Sequence, residues 1–299
     1  MENTIEQVKS GMVALVGPPN VGKSTLLNTL LGMKISIVSP KPQTTRNRIL
    51  GVVNGDDYQI VMLDTPGIHK AHNPLNLEMV KIALDSLADV DVIVFMVDVT
   101  MPLPDPKTST IKHLEGCKTP TVLLINKVDM VDKENLLPII EAYQKLFDFK
   151  TILPVSAMEG DGTDLLIEEL CALLPTGPRL YPDDIPTDVT ERFIVAEMIR
   201  EKIFLLTGQE IPYSTAVTIE SFKENPNKQI VTIHATIHVE RSSQKGIIIG
   251  KGGKKLQQIG TAARQEIETL LDQQVLLKLW VKVQKDWTSN PRFLRELGF

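Results

Sequence analysis

With 299 residues, 42% of them apolar and 23% charged, the chain is long enough for two domains with real cores, and its composition excludes disordered and fibrous classes. Its net charge of −5 conceals an asymmetry. Residues 1–199 carry 17 Lys/Arg against 27 Asp/Glu, whereas residues 200–299 carry 15 against 10, so a polyanion, if bound, is expected on the C-terminal part. Cys117 and Cys171 lack metal or disulfide spacing, the first ten residues are polar, and the apolar run at 92–97 is too short to span a bilayer. A cytoplasmic protein is the reading that fits.

The first informative stretch is Gly-Pro-Pro-Asn-Val-Gly-Lys-Ser, residues 17–24, between a strand-like apolar run at 12–16 and a helix-like run at 25–31. Two glycines with four residues between them, followed by Lys-Ser, form a phosphate loop, because backbone N–H groups hold polyphosphate and glycine lets the main chain wrap it closely. Gly17, Asn20, Val21, Gly22, Lys23, Ser24 and the adjoining Thr25 are the phosphate-binding set. Lys23 reaches the β- and γ-phosphates as the catalytic lysine, Ser24 ligates Mg²⁺, and the helix N-terminus adds its partial positive charge. The alternative, a Gly/Pro-rich turn that carries a Lys-Ser pair, does not explain the flanking strand and helix. The loop alone does not separate ATP from GTP.

Residues 35–48 have no clean period and read as an irregular loop containing Pro42-Gln43-Thr44-Thr45-Arg46. A hydroxyl there, from Thr44 or Thr45 with Thr45 preferred, completes the Mg²⁺ shell opposite Ser24 and makes the loop sensitive to the γ-phosphate. Strands at 49–53 and 59–63 are joined by an Asn-Gly-Asp turn, and the second runs into Asp64-Thr65-Pro66-Gly67. Asp64 is placed to hold Mg²⁺ through water and the Gly67 N–H to meet the γ-phosphate.

The pattern then alternates: helix 74–87, strand 92–98, helix 107–114, strand 121–125, helix 134–147, strand 151–155, helix 162–174. Apolar strands alternating with amphipathic helices predict an α/β fold with a mixed, mostly parallel sheet, whose ligands sit at the carboxyl ends of the strands. Asn126-Lys127-Val128-Asp129 follows one such strand directly. A carboxylate accepts from guanine N1–H and the 2-amino group, donors that adenine lacks, so Asp129 selects guanine. Asn126 supports the base or loop, and Lys127 lays its stem along the base. Ser156-Ala157 then offers a backbone N–H to the guanine carbonyl.

Four prolines and a glycine between 175 and 186 predict a linker, giving a GTPase domain at 1–175, a linker at 176–190 and a second domain at 191–299. In the second, a helix at 191–206, strands at 215–222 and 229–239 with a turn at 225–227, a helix to 271 and a strand at 275–283 are expected, then a short closing helix from 287. Between the second strand and the long helix, Gly250 and Gly253 bracket two residues, a loop that clamps about four nucleotides of a single strand. Lys245, Lys251, Lys254 and Lys255 face phosphates, and Ile247, Ile248 and Ile249 form an apolar floor for bases, with Gly252 in the loop itself. Element order and the basic cluster read as an α+β KH domain of type II. Trp280 and Trp287 fit either core or stacking, core being the commoner fate.

Taken together, the motifs at 17–24, 42–46, 64–67, 126–129 and 156–157, joined to Glu240-Arg241 and 245–253, resemble the Era family of GTPases over nearly the whole chain. The resemblance implies a GTP/GDP-binding and GTP-hydrolysing switch, dependent on Mg²⁺, that binds the 3′ region of small-subunit ribosomal RNA and assists assembly of the small ribosomal subunit. It implies a cytoplasmic monomer with some peripheral contact at the membrane, and adds Arg241 to the RNA-binding set. One departure from the Ras pattern matters: Ile68 stands where a water-positioning glutamine is expected, so intrinsic hydrolysis is expected to be slow. Asn20 resembles a position that helps bind K⁺ in related GTPases; shaping the turn is the equal alternative. A competing function is a peripheral membrane or cell-cycle signalling GTPase whose KH-like module binds protein or lipid.

Overall fold

Apolar runs build the first sheet. In chain order the elements are β1 (Val8–Val16), α1 (Lys23–Leu31), β2 (Ile49–Asn54), β3 (Tyr58–Asp64), α2 (Pro74–Asp85), β4 (Val92–Asp98), β5 (Thr121–Asn126), α3 (Leu136–Gln144), β6 (Thr151–Pro154), α4 (Thr163–Leu173) and the short β7 (Thr176–Gly177). The strands lie in the order β2-β3-β1-β4-β5-β6 with β7 on β1; β2 and β7 are antiparallel and the rest parallel. All seven residues of β4 and all six of β5 are buried, as helices on both faces require. Phe95 anchors one layer, its ring 6.5 Å from Tyr143 and 6.4 Å from Phe149, where each fully buried side chain contributes about 1.5–3 kcal/mol.

This computed structural model describes residues 7–69, 74–104, 110–208, 211–225 and 229–297, which divide into two units between Asp188 and Val189, with Ile37–Thr44 grouped in the second. The stretch expected as a linker from 176 is therefore corrected up to residue 188. β7 pairs with β1, the buried Gln59 amide accepts from Leu180 and Tyr181 N–H and donates to Tyr181 O, and Thr187 Oγ1 donates to Leu50 O. Arg179 donates to the carbonyls of Gly55, Asp56 and Tyr58. Beyond the two-residue β7, prolines exclude a regular element here, but side chains satisfy the backbone in its place. The helix expected at 134–147 begins as an α-helix only at Leu136, with Pro138 in its first turn, where a missing N–H is tolerated. At 110–114 a 3₁₀ turn stands in place of a helix, and the start of that expected helix, at 107, lies outside the described residues.

The second unit continues with α5 (Glu191–Leu206), β8 (Thr215–Asn225), β9 (Ile230–Val239), α6 (Ser242–Ile249), α7 (Lys254–Leu271), β10 (Gln274–Val283) and α8 (Pro291–Glu296). Its sheet has the order β10-β9-β8, antiparallel between β8 and β9 and parallel between β9 and β10. Thr190 caps α5 by accepting from Phe193 N–H, and α7 buries Ile259, Ala263 and Ile267 at helical spacing. α6 was not expected from the sequence: eight residues with Gly246 inside are too few to show a period. The core of the turn expected at 225–227 lies outside the described residues. No helix among the described residues is long and apolar enough to cross a membrane.

Candidate nucleotide site and nucleic-acid interface

The turn from β1 into α1 uses backbone that few residues adopt: Gly17 at φ 149°, Asn20 at 64° and Gly22 at 102°. Space demands the glycines as well. A Cβ on Gly17 would lie 2.2 Å from the Met96 carbonyl oxygen, and one on Gly22 would lie 2.2 Å from Asn126 Nδ2. Asn20 thus serves the turn through a conformation asparagine enters more readily than most. Val21 is fully buried, and the half-buried Thr25 lies in the first turn of α1.

Lys23 is 6% exposed and donates to the carbonyls of Gly17 (3.2 Å) and Pro18 (2.9 Å). Burial lowers its ammonium to about 8, against the opposing pull of Asp64. Ser24, Thr45 and Ser36 gather around Asp64. Ser24 Oγ donates to Asp64 Oδ2 at 2.6 Å and lies 2.7 Å from Thr45 Oγ1, while Ser36 Oγ donates to the same Oδ2 at 2.8 Å. Asp64 Oδ1 is buried without a hydrogen-bond partner, and burial pushes the carboxyl up despite the Ser24 hydrogen bond and the Lys23 charge. An orphaned carboxylate oxygen beside convergent hydroxyls is a donor set that fits a hard divalent cation.

Of the two threonines, the structure brings only Thr45 to this cluster. Thr44 Oγ1 donates to Lys41 O at 2.6 Å and lies 2.8 Å from Ser39 Oγ, so its hydroxyl is committed within its own loop. Gly67 packs against the phosphate loop, where a Cβ would meet Pro19 Cα at 2.7 Å, and the next N–H, of Ile68, donates to Gly17 O. The Ile68 side chain is 2% exposed and brings no polar atom to the site.

Asn126 ties the phosphate loop to the loop after β6. Its Nδ2 donates to Val21 O at 2.7 Å and its Oδ1 accepts from Ala157 N–H at 2.8 Å. Lys127, at φ 66°, sends Nζ to Asp98 Oδ2 at 2.5 Å. Burial pushes Asp98 up, but hydrogen bonds from Lys127 and Thr100 outweigh it and hold the carboxyl below its usual range. Asp129 is exposed in the 3₁₀ turn Val128–Met130 and has no hydrogen-bond partner among the described residues. The N–H groups of both Ser156 and Ala157 are engaged within the protein, by Asp161 O and Asn126 Oδ1, so the pair here fixes the loop. Sequence reasoning missed Ser36, Asp98 and Thr29, whose hydroxyl donates to Ala157 O at 2.6 Å. A signal existed for Asp98 alone, at the carboxyl end of β4.

In the second unit, Gly250, Gly252 and Gly253 have φ of 72°, 61° and 77°. A Cβ on Gly250 would crowd Lys255 Cβ at 2.6 Å, whereas one on Gly252 or Gly253 meets nothing within 4 Å. Backbone at these two positions is open to an approaching strand. Lys251, Lys254 and Arg241 are exposed, with Lys245 and Lys255 half-buried. The floor expected from three isoleucines is corrected: they lie on α6, whose inward face buries Ile248 completely, leaving Ile247 exposed and Ile249 half-buried. A groove of about 390 Å³ lies instead beside Gly253, between Leu256 and Gly260 of α7 and Leu277 and Leu279 of β10, with Gln257, Thr261 and Arg264 adding polar atoms to its lining.

Residues 12–127 match the family described as 50S ribosome-binding GTPase, and residues 210–288 match the KH domain family. A GTPase Era of Geotalea uraniireducens is 53% identical over 99% of both chains, and one of Geobacter sp. (strain M21) is 54% identical over 98% of this chain and 99% of its own. The chain belongs to the Era family of GTPases. Two solved structures superpose with a TM-score of 0.93 over 97% of this chain and 99% of theirs. One is a point variant of Aquifex aeolicus Era bound to GDP·AlF₄⁻, 43% identical, and the other is an Era in complex with MgGDPNP and nucleotides 1506–1542 of 16S ribosomal RNA, 42% identical.

Proposed function

We propose that this chain is a GTP-hydrolysing switch that binds the 3′ region of small-subunit ribosomal RNA in the cytoplasm and assists assembly of the small ribosomal subunit. The observation that carries the reading is a relative 42% identical, alike over 97% of this chain, that holds MgGDPNP and 16S nucleotides together. The residues supply the parts. Phosphate oxygens replace the Gly17 and Pro18 carbonyls as acceptors for Lys23, and the loop N–H groups and α1 N-terminus take the remaining charge. Ser24 and Thr45 would ligate Mg²⁺ and Asp64 would help hold it, and the ion would supply positive charge against the β- and γ-phosphates. Asp129 accepts from the guanine N1–H and 2-amino group, and the Lys127 stem, fixed by Asp98, covers the base.

Because Ile68 is buried and apolar, the attacking water depends on backbone or on a partner, and turnover of the protein alone is slow. Loop 35–48 carries the switch. Thr45 hydroxyl belongs to the Ser24 cluster, while the preceding residues group with the second unit: Val38 N–H donates to Glu201 at 2.9 Å, Lys41 to the carbonyls of Phe204 and Thr207, and Arg200 to Thr44 O. Ordering of Thr45 by Mg²⁺ and the γ-phosphate therefore bears on residues anchored to α5. RNA crosslinking with sequencing tests the reading. Crosslinks should concentrate at the 16S 3′ end with a GTP analogue and thin out with GDP; vesicle binding that survives RNase, with no ribosomal crosslinks, would overturn it.

A further inference from the structure

The two tryptophans have opposite fates. Trp287 is fully buried and donates from its indole to Ser214 O at 2.9 Å, whereas Trp280 is 55% exposed. Along β10, Val275 and Val281 are buried and Leu277 and Leu279 line the groove beside α7, so Leu276, Lys278, Trp280 and Lys282 alternate onto the opposite face of the sheet. Register places Lys278 beside His234 and Lys282 beside His238 on β9, and the His234 ring lies 5.6 Å from that of Trp280. Lys223 of β8, opposite Thr232, extends the same face. Glu220 lies there too and accepts from Thr218 at 2.8 Å, and at the Lys282 end the buried His238 packs under the Phe293 ring of α8, 5.1 Å away, so the open part of the face runs from Leu276 to Trp280.

We propose that this sheet face is a second surface for single-stranded RNA, with Trp280 as the stacking platform and Lys278 and Lys282 as phosphate contacts. The proposal rests on the reading that the second unit binds RNA. An indole with lysines two residues away on either side, each about 7 Å along the strand, offers a π-face for a base and charge for the phosphates flanking it. Protein-binding faces are enriched in aromatics but depleted in lysine, so the charge favours nucleic acid. Position favours it too: β10 is an edge strand, and its other face lines the groove beside the glycine loop. RNA leaving that groove has one strand edge to cross before reaching Trp280. A loop that clamps about four nucleotides leaves most of a longer fragment to be held elsewhere.

The test uses two RNAs on the full chain: 16S fragment 1506–1542, and a short RNA of about four nucleotides that fills only the groove. Trp280→Ala should weaken the long fragment about tenfold, as loss of one stacked base predicts, and leave the short one unchanged. Trp280→Phe should restore much of the loss. Lys278→Gln with Lys282→Gln should lower the slope of log affinity against log salt by about 1.4 for the long fragment only. The long fragment should also quench the exposed Trp280 emission while the short one does not. Wild-type affinity in Trp280→Ala, or an equal loss on both RNAs, overturns the proposal. If the wild-type chain binds neither RNA, the RNA reading itself fails.

Discussion

Two glycine loops with lysines precede helices in this chain, and they use glycine for opposite reasons. In the phosphate loop glycine is demanded from within: a Cβ at 17 or 22 would meet the protein's own atoms at 2.2 Å, and Lys23 is buried on loop carbonyls. In the loop before α7, Gly252 and Gly253 meet nothing within 4 Å, and Lys251 and Lys254 stand in water. The first is a rigid mould that the proposed nucleotide would fill, assembled by neighbours such as Asn126. The second is open backbone that, on the proposed reading, becomes a site when a strand lies on it. Substitutions in the first should therefore act on binding and packing together, and those at Gly252 or Gly253 on binding without a packing clash.

The largest effect expected is at Lys23. Lys23→Ala removes a buried ammonium that in the proposed site would meet two phosphates at about 1.5–3 kcal/mol each, so GTP affinity by calorimetry should fall by about 3–6 kcal/mol. RNA binding without nucleotide should hold. A loss of less than tenfold would break the contrast, because it would mean the mould does not depend on its central cation. Next is Asp129→Asn, which turns an exposed acceptor into a mixed donor and acceptor. GTP affinity should drop about a hundredfold, roughly 2.7 kcal/mol, while xanthine nucleotide affinity rises. Unchanged GTP affinity would remove Asp129 from the base site.

The rigid loop was also the more legible one. Gly17, Lys23 and Ser24 sit at fixed spacing between strand and helix, and each motif at a strand end carries its chemistry in adjacent residues. What stayed hidden comes from residues distant in sequence. Ser36 and Thr45 reach Asp64 across a loop without a period, and Gln59 and Arg179 bind residues 179–181 to the β2–β3 hairpin through contacts between residues more than 120 positions apart. A proline-rich stretch reads as a linker when the side chains that satisfy its backbone lie elsewhere. In the second unit the strands alternate clearly, yet α6 is short enough that its three isoleucines looked like one surface when Ile248 faces the core. The choice between Thr44 and Thr45 needed geometry, since both are hydroxyls in one loop.

At the open loop, Gly252→Asp should weaken RNA about tenfold in a filter assay with GTP affinity unchanged, because a carboxylate repels the phosphodiester and has no protein atom nearby to disturb. Part of any loss of stability comes from the left-handed φ of 61°, about 1–2 kcal/mol for a residue with a Cβ. Gly252→Asn separates the two. Asparagine tolerates that backbone and adds no charge, so it should keep most RNA affinity. If both variants lose RNA equally, shape matters at this loop more than its openness implies, and the two loops are less different than they look.

The smallest effect expected returns to the rigid loop. Asn20 has a reason to be present that needs no ion, since φ of 64° is a conformation asparagine favours. If its side chain also helps hold K⁺ beside the phosphates, the ion supplies positive charge that Ile68 cannot. Turnover should then be about fivefold faster in KCl than in NaCl at equal ionic strength, close to 1 kcal/mol of barrier. Asn20→Gly keeps the left-handed turn and removes the amide, so it should abolish the cation preference while leaving GTP affinity near wild type. Equal rates in the two salts for the wild-type protein would assign Asn20 to the turn alone, and the missing charge would have to come from a partner.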